Sequence, residues 1–245
     1  MKSGGFKTRI WIPAAMAALV ISFIDYGQVQ GTLPSRETAE AGKSATIRWL
    51  GQSCYLMTTS GGTRIITDPV DFKGYHFPKG TEADIVTVSH EHVDHNSVET
   101  VAGEPLIVRG TDKKCLEVNA FDKTISDVRL YTVSSFHDPG MRRRNAIFVF
   151  EFDGIRLVHL GDIGTTLSEE QIKAIGKVDI LMIHVGGQYT IDGAEADTIV
   201  KQLAVSRFVL PMHYKTEAFA DIPRTVDSFL KGKENVRRID GNTFV

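Results

Sequence analysis

Four side chains with metal-binding chemistry fall within six positions of this sequence: His90, His92, Asp94 and His95, in the run Ser89-His90-Glu91-His92-Val93-Asp94-His95. Along an extended chain, residues i and i+2 point the same way, so His90 and His92 can approach one ion together. Asp94 and His95 come as the chain turns into an expected helix at Asn96-Ser97-Val98-Glu99, and they can face a second ion. Imidazole with carboxylate suits zinc, manganese or iron. The alternative is four unrelated polar residues on a solvated loop.

Three further candidates stand just past apolar runs. His137 follows Tyr131-Thr132-Val133-Ser134-Ser135-Phe136, Asp162 follows Leu157-Val158-His159-Leu160-Gly161, and His213 follows Phe208-Val209-Leu210-Pro211-Met212. A parallel or mixed sheet brings such strand ends to one edge, where sites on open α/β sheets form.

The elements that must position these residues are legible in outline. Strands are expected at 47–50, 54–57, 63–67, 84–89, 128–133, 146–152, 155–160, 179–184 and 207–210, from short β-branched runs bounded by turn residues. Asp153-Gly154 between two apolar runs is a hairpin signal, because both types tolerate positive φ. Ser168-Glu169-Glu170-Gln171 reads as a capping box with Gly176 closing the helix. Asp192-Gly193-Ala194-Glu195 opens a second helix, and a third is expected over 223–230 with Pro223 in its first turn. Strands lead and then alternate with helices, which predicts a layered α/β sandwich.

At 245 residues, 42% hydrophobic and net charge −2, the chain can build one sizeable core and has no global attraction for nucleic acid. The two cysteines, Cys54 and Cys115, lack metal-type spacing, and whether they pair is open. Lys2, Lys7 and Arg9 precede an apolar run over 10–24, shorter than the ~20 residues that span a bilayer. This predicts a signal peptide or N-terminal anchor over residues 1–31, a polar linker over 32–43, and a folded domain over 44–245. The expected location is exported: periplasmic, secreted, or held to the membrane by an uncleaved N-terminal segment.

The order His-x-His-x-Asp-His, then His, then Gly-Asp, then His resembles the metallo-β-lactamase superfamily over residues 45–245. Trp49-Leu50-Gly51, Thr67-Asp68-Pro69, His159-Leu160-Gly161-Asp162, Val185-Gly186-Gly187 and Pro211-Met212-His213-Tyr214 are similar to the branch containing ascorbate-6-phosphate lactonase-like proteins. The resemblance implies a four-layer αββα fold and two divalent metal ions, zinc first, with manganese or iron as alternatives. It implies His90, His92 and His137 on one ion, Asp94, His95 and His213 on the other, and Asp162 bridging, with Asp68 holding ligands in place. It further implies hydrolysis of a lactone, ester or phosphoester, with Asp94 and Asp162 the catalytic carboxylates, and argues against β-lactam turnover. An iron-dependent redox enzyme and a non-enzymatic metal-binding protein are the alternatives. The chain departs from the branch at Gln52 and Thr165, where histidines often stand, which bears on the substrate more than on metal binding. A small-molecule substrate is expected, with Arg142-Arg143-Arg144 either a solvated loop or a recognition site for an anionic one, and no nucleic acid. His159 is expected to be structural, His184 either to face the pocket or to lie in the core, and His76 to sit in a loop that could border the site.

Overall fold

The computed structural model describes residues 20–22, 44–238 and 241–244. In chain order the strands are β1 (Val20–Ser22), β2 (Thr46–Gly51), β3 (Cys54–Thr58), β4 (Arg64–Thr67), β5 (Ile85–Val88), β6 (Leu106–Arg109), β7 (Asp122–Ile125), β8 (Val128–Phe136), β9 (Arg144–Phe152), β10 (Ile155–His159), β11 (Ile180–His184), β12 (Phe208–Met212), β13 (Val236–Arg238) and β14 (Thr243–Phe244). The helices are α1 (Glu169–Ile175), α2 (Gly193–Gln202) and α3 (Val226–Leu230). Of the segment expected to direct export, Val20–Ser22 alone is described, pairing with β12 and β13; the rest of 1–31 and the linker over 32–43 lie outside the described residues.

Two mixed sheets stack face to face. One has the order β13-β1-β12-β11-β10-β9-β8-β7, the other β14-β2-β3-β4-β5-β6. Their inner faces share a core in which Tyr55, Met57 and Ile65 from the smaller sheet meet Leu130, Phe148 and Phe150 from the larger. β5 and β11 are buried along their whole length, as strands covered on both faces must be.

The helices cover the outer face of the larger sheet, α1 against β8 and α2 against β11. Outside the smaller sheet a second apolar cluster (Cys54, Ile66, Val70, Phe77, Val86 and Val101 among its members) is roofed by loops and one 3-10 turn, Val98–Thr100. The architecture is therefore the α/β sandwich expected, with a lean outer layer on that side.

Both capping boxes form, Ser168 with Gln171 and Asp192 with Glu195, and Gly176 ends α1 at φ 72°. The hairpin at Asp153-Gly154 turns through φ 52° and 70°. Two helix expectations are corrected. The third helix begins after Thr225 rather than at Pro223, and the stretch after His95 makes only the 3-10 turn. There Thr100 N bonds Ser97 O and Val101 N bonds Val98 O, the tighter i to i+3 pattern, and Val101 then turns extended at φ −79° and ψ 126°, which ends the turn.

Candidate metal centre

Every strand that feeds the site does so from its C-terminal end. Asp68 follows β4 and the run His90–His95 follows β5, both in the smaller sheet. His137 follows β8, Asp162 lies three residues past β10, and His213 follows β12, all in the larger sheet. The seven expected site residues are thus brought together from two sheets. Three overlapping groups place their donor atoms within 4.8 Å of one another: His90, His92 and His137; His90, His95 and Asp162; and Asp94, His95 and His213.

Asp162 sits between the histidines. Its Oδ2 lies 3.4 Å from His95 Nε2, 3.3 Å from His213 Nε2 and 3.7 Å from His137 Nε2. Asp94 Oδ2 lies 3.5 Å from His95 Nε2 and 3.6 Å from His213 Nε2.

Asp68 fixes which nitrogen two of these rings present. Buried and fully enclosed, it accepts from Ser89 N at 2.7 Å, Ser89 Oγ at 2.6 Å and His95 Nδ1 at 2.8 Å. A carboxylate only accepts, so His95 carries its proton on Nδ1 and turns the Nε2 lone pair to the site. Ser89 has given its one hydroxyl hydrogen to Asp68, so the 3.0 Å contact of Ser89 Oγ with His90 Nδ1 runs from the ring to the hydroxyl. His90 therefore also presents a bare Nε2. Asp68 holds φ 38°, His213 φ 48° and Gln52 φ 49°, left-handed values that cost about 1–3 kcal/mol each and cluster where function over-determines the backbone.

The donor set fits a metal. His90 Nε2, His95 Nε2 and Asp162 Oδ1 are buried and have no hydrogen-bond partner among the described residues. Proteins pair the great majority of buried polar atoms, and of the ten unpaired side-chain atoms among the described residues these three belong to one donor cluster. Three donor atoms without partners, converging among imidazoles and carboxylates, are what a divalent cation requires.

The electrostatics follow from burial and proximity. Burial opposes the charged form of Asp162, yet His213 and His95 beside it hold its carboxyl well below the usual range. Burial opposes the charge on Asp94 likewise, and His95 and His213 outweigh it. Burial pushes His92 down to about 4, helped by His137 and His95. It opposes charge on His95 too, but there Asp162 and Asp94 prevail and raise the imidazole above its ordinary value.

The supporting residues divide clearly. Gln52 donates from Nε2 to Asp94 Oδ2 at 3.0 Å, and its carbonyl accepts from His213 N at 3.3 Å. The branch departure at this position therefore touches the site directly, whereas Thr165 does not line the cavity. His159 is structural, as expected: Nε2 meets Ser53 O at 2.9 Å and Nδ1 accepts from Gly161 N at 3.2 Å. His184 is a core residue rather than a pocket one, donating from Nδ1 to Gly161 O at 2.8 Å, and burial lowers it to about 4. His76 is exposed, contacts Asp71 at 3.5 Å and stays out of the cavity.

Two glycines mark close approach. A Cβ on Gly161 would lie 2.3 Å from Asn145 Oδ1 and 2.6 Å from Ser89 Cβ, and one on Gly186 would lie 2.3 Å from His213 O. Both cysteines are free and buried.

The centre opens on a cavity of about 1070 Å³ bordered by the loops after β4, β5, β8, β11 and β12. Arg142 and Arg143 line it. Arg144 does not: its guanidinium stacks on Phe136 at 4.1 Å. Arg143 Nη1 donates to His92 Nε2 at 3.0 Å, a contact that the sequence pattern does not reveal.

With fold and site in place, the class follows. Residues 46–213 match the family model described as a beta-lactamase superfamily domain, and the chain belongs to that family, an enzyme of the metallo-β-lactamase superfamily. It is 30% identical over 191 residues to a UPF0173 protein of Pyrococcus furiosus, covering 71% of this chain and 86% of that one. A UPF0173 metal-dependent hydrolase of Methanoregula boonei is 27% identical, covering 69% of this chain and 82% of the relative. Among solved structures, a protein described as a Zn-dependent hydrolase of the metallo-β-lactamase superfamily from Thermotoga maritima superposes with TM-score 0.63 at 31% identity, over 81% of this chain and 94% of that one.

Proposed function

We propose that this chain is a metal-dependent hydrolase that uses two divalent ions, zinc first, to cleave a lactone, ester or phosphoester. His90, His92 and His137 would hold one ion, Asp94, His95 and His213 the other, and Asp162 both. The single observation that carries the reading is the convergence of these seven side chains from two sheets around three buried, unpartnered donor atoms. When bound, such a pair supplies a nucleophile at neutral pH and polarises the oxygen under attack.

The chain's own groups do the rest. Asp94, half-buried at the cavity floor and steadied by Gln52, is placed to accept the proton of the attacking water and pass it to the leaving oxygen. Asp68 and Ser89 lock the imidazoles of His95 and His90 in the tautomer that ligation needs. The β8–β9 loop, with Arg143, walls the cavity.

The reading is tested by elemental analysis of the purified chain together with a panel of lactones, phosphodiesters and aryl esters before and after chelation. About two ions per chain with chelator-sensitive turnover would support it. No bound metal under several loading conditions would overturn it, and activity with iron alone would favour redox chemistry instead.

Export rests on the N-terminal charge and apolar pattern, a small-molecule substrate on the cavity, and the absence of a nucleic-acid role on the acidic balance. Mass analysis of the chain recovered from cell fractions tests the first of these. An unprocessed chain in the cytoplasm would refute it.

A further inference from the structure

We infer that the molecule held in this cavity is an anionic amphiphile, its charged group beside Arg143 and its apolar part along Val93, Tyr189 and Phe219. This rests on the proposed function for what becomes of the bound molecule, but not for its binding.

The first observation is an apolar mouth. Six large hydrophobic side chains are exposed among the described residues: Val93, Leu106, Ile107, Leu116, Met141 and Tyr189. Val93 (62% exposed) and Tyr189 (70%) line the cavity, and Met141 lies between Gly140 and Arg142, which also line it. Two of the six thus line the cavity, and an exposed apolar rim on a ligand-sized cavity marks a surface for an apolar group. Met141 stands at φ 53° and Gln188, just before Tyr189, at φ 85°, left-handed turn conformations that fix the course of the two loops bordering the opening. Behind the mouth, Phe72 and Phe219 meet edge to face at 5.9 Å and Ile222 closes the wall.

The second observation is a single uncommitted positive charge. Lys73 lies over the Phe72 and Phe219 rings and is paired with Asp221. Arg142 is paired with Asp138 at 3.4 Å. The Arg143 guanidinium has no carboxylate partner among the described residues and rests on His92 Nε2, a neutral acceptor. His92 Nε2 is a proposed metal donor, so ligation would turn Arg143 away from the ring and leave its planar fork free for a phosphate or carboxylate next to the reacting bond.

Isothermal titration of the purified full chain with butyl phosphate, octyl phosphate, octanoate and octanol tests this. Four extra methylenes buried on one side correspond to about tenfold, so octyl phosphate should bind about 10-fold tighter than butyl phosphate. Paired substitution Val93→Ser with Tyr189→Ser should cut that ratio below about 3-fold and leave metal content unchanged. Arg143→Gln should weaken octyl phosphate about 10-fold while leaving octanol unaffected. Octanoate binding as tightly as octyl phosphate makes the charge alone the recognised feature, whereas tighter octyl phosphate assigns a phosphate. Equal affinity for butyl and octyl phosphate, a chain-length dependence that survives the paired substitution, or equal affinity for octyl phosphate and octanol would overturn the inference. Chelator-sensitive turnover of a short ester without octyl phosphate binding would overturn it and leave the hydrolase reading standing. Graded binding with no turnover of any substrate would do the reverse.

Discussion

Replacing Asp68 by asparagine removes one charge and almost no volume, and its effect can be worked out from the three hydrogen bonds the carboxylate accepts. Oδ1 can still accept from Ser89 N, but the amide then turns its N–H groups on Ser89 Oγ and His95 Nδ1, both of which are donors. Relief comes only if His95 moves its proton to Nε2, the atom that should ligate, or if Ser89 turns its hydroxyl away and unsettles His90. Loss of such an outer partner costs about 10–100-fold in metal affinity, or roughly 1.4–2.8 kcal/mol. Asparagine tolerates the left-handed backbone at this position, so the fold should hold. Asp68→Ala leaves three donors unpaired in a fully buried site and should also cost about 3–5 kcal/mol of stability. Competition against a chromophoric chelator measures the first effect and urea unfolding the second. If the asparagine variant binds metal as tightly as the parent chain, the tautomer argument for His90 and His95 is wrong.

Other outcomes are as direct. Asp94→Ala and Asp162→Ala should abolish turnover while leaving the circular dichroism spectrum unchanged; near-parental rates in either would remove it from the mechanism. Arg144→Gln should lower stability by about 0.5–1 kcal/mol through the lost stacking on Phe136, without raising KM, and a KM effect confined to anionic substrates would contradict its placement. Chelation should lower the melting temperature: an ion present at 100 times its Kd contributes about 2.7 kcal/mol, or about 5–10 °C for a domain of this size, and an unchanged melting curve would argue against tight binding. Glu151 bridges Arg129 and Arg156, and against its partial burial Arg156 and then Arg129 hold its carboxyl below the usual value. That stability is present above the unfolded pKa of about 4.3 and is lost as pH falls through the lower native one. Glu151→Gln should therefore be destabilising at pH 7 and progressively less so as pH falls below about 4.3, and a pH-independent effect would exclude the ion pairs as its cause.

The cluster at 90–95 is legible in the sequence because its donors are local, and β5 is apolar enough to fix where it emerges. His137, Asp162 and His213 can be read only as polar residues past apolar runs; that they meet is a property of strand order, which no local pattern carries. β7 escapes a sequence reading for a related reason: it is an edge strand with three of its four residues exposed and no apolar run, whereas β6, also at an edge, carries the apolar run Leu106-Ile107-Val108, which the reading of strands overlooks. Pro223 is a good first-turn residue and draws the expected start of the third helix too early. In the fold, Lys215 N takes the carbonyl of Arg224, the residue after that proline, and helical geometry begins only past Thr225. Arg143 is indistinguishable from its two neighbours in sequence. Their separation into a stacked, a paired and an uncommitted guanidinium comes entirely from loop geometry.

The meeting of the two sheets at Gly161 has one further consequence. Ser89, at the end of one sheet, and Asn145, in a strand of the other, both press on the place where a Cβ would stand, and just beyond it the donors from the two sheets come into register. Neither sheet carries a complete set: the smaller supplies His90, His92, Asp94 and His95, and the larger His137, Asp162 and His213. A bound ion is then a cross-link between two halves of the chain made distant in sequence by folding order. Chemical competence becomes a report that the halves have docked in the right relation. A chain that misplaces them by an ångström would keep its secondary structure and lose its metal.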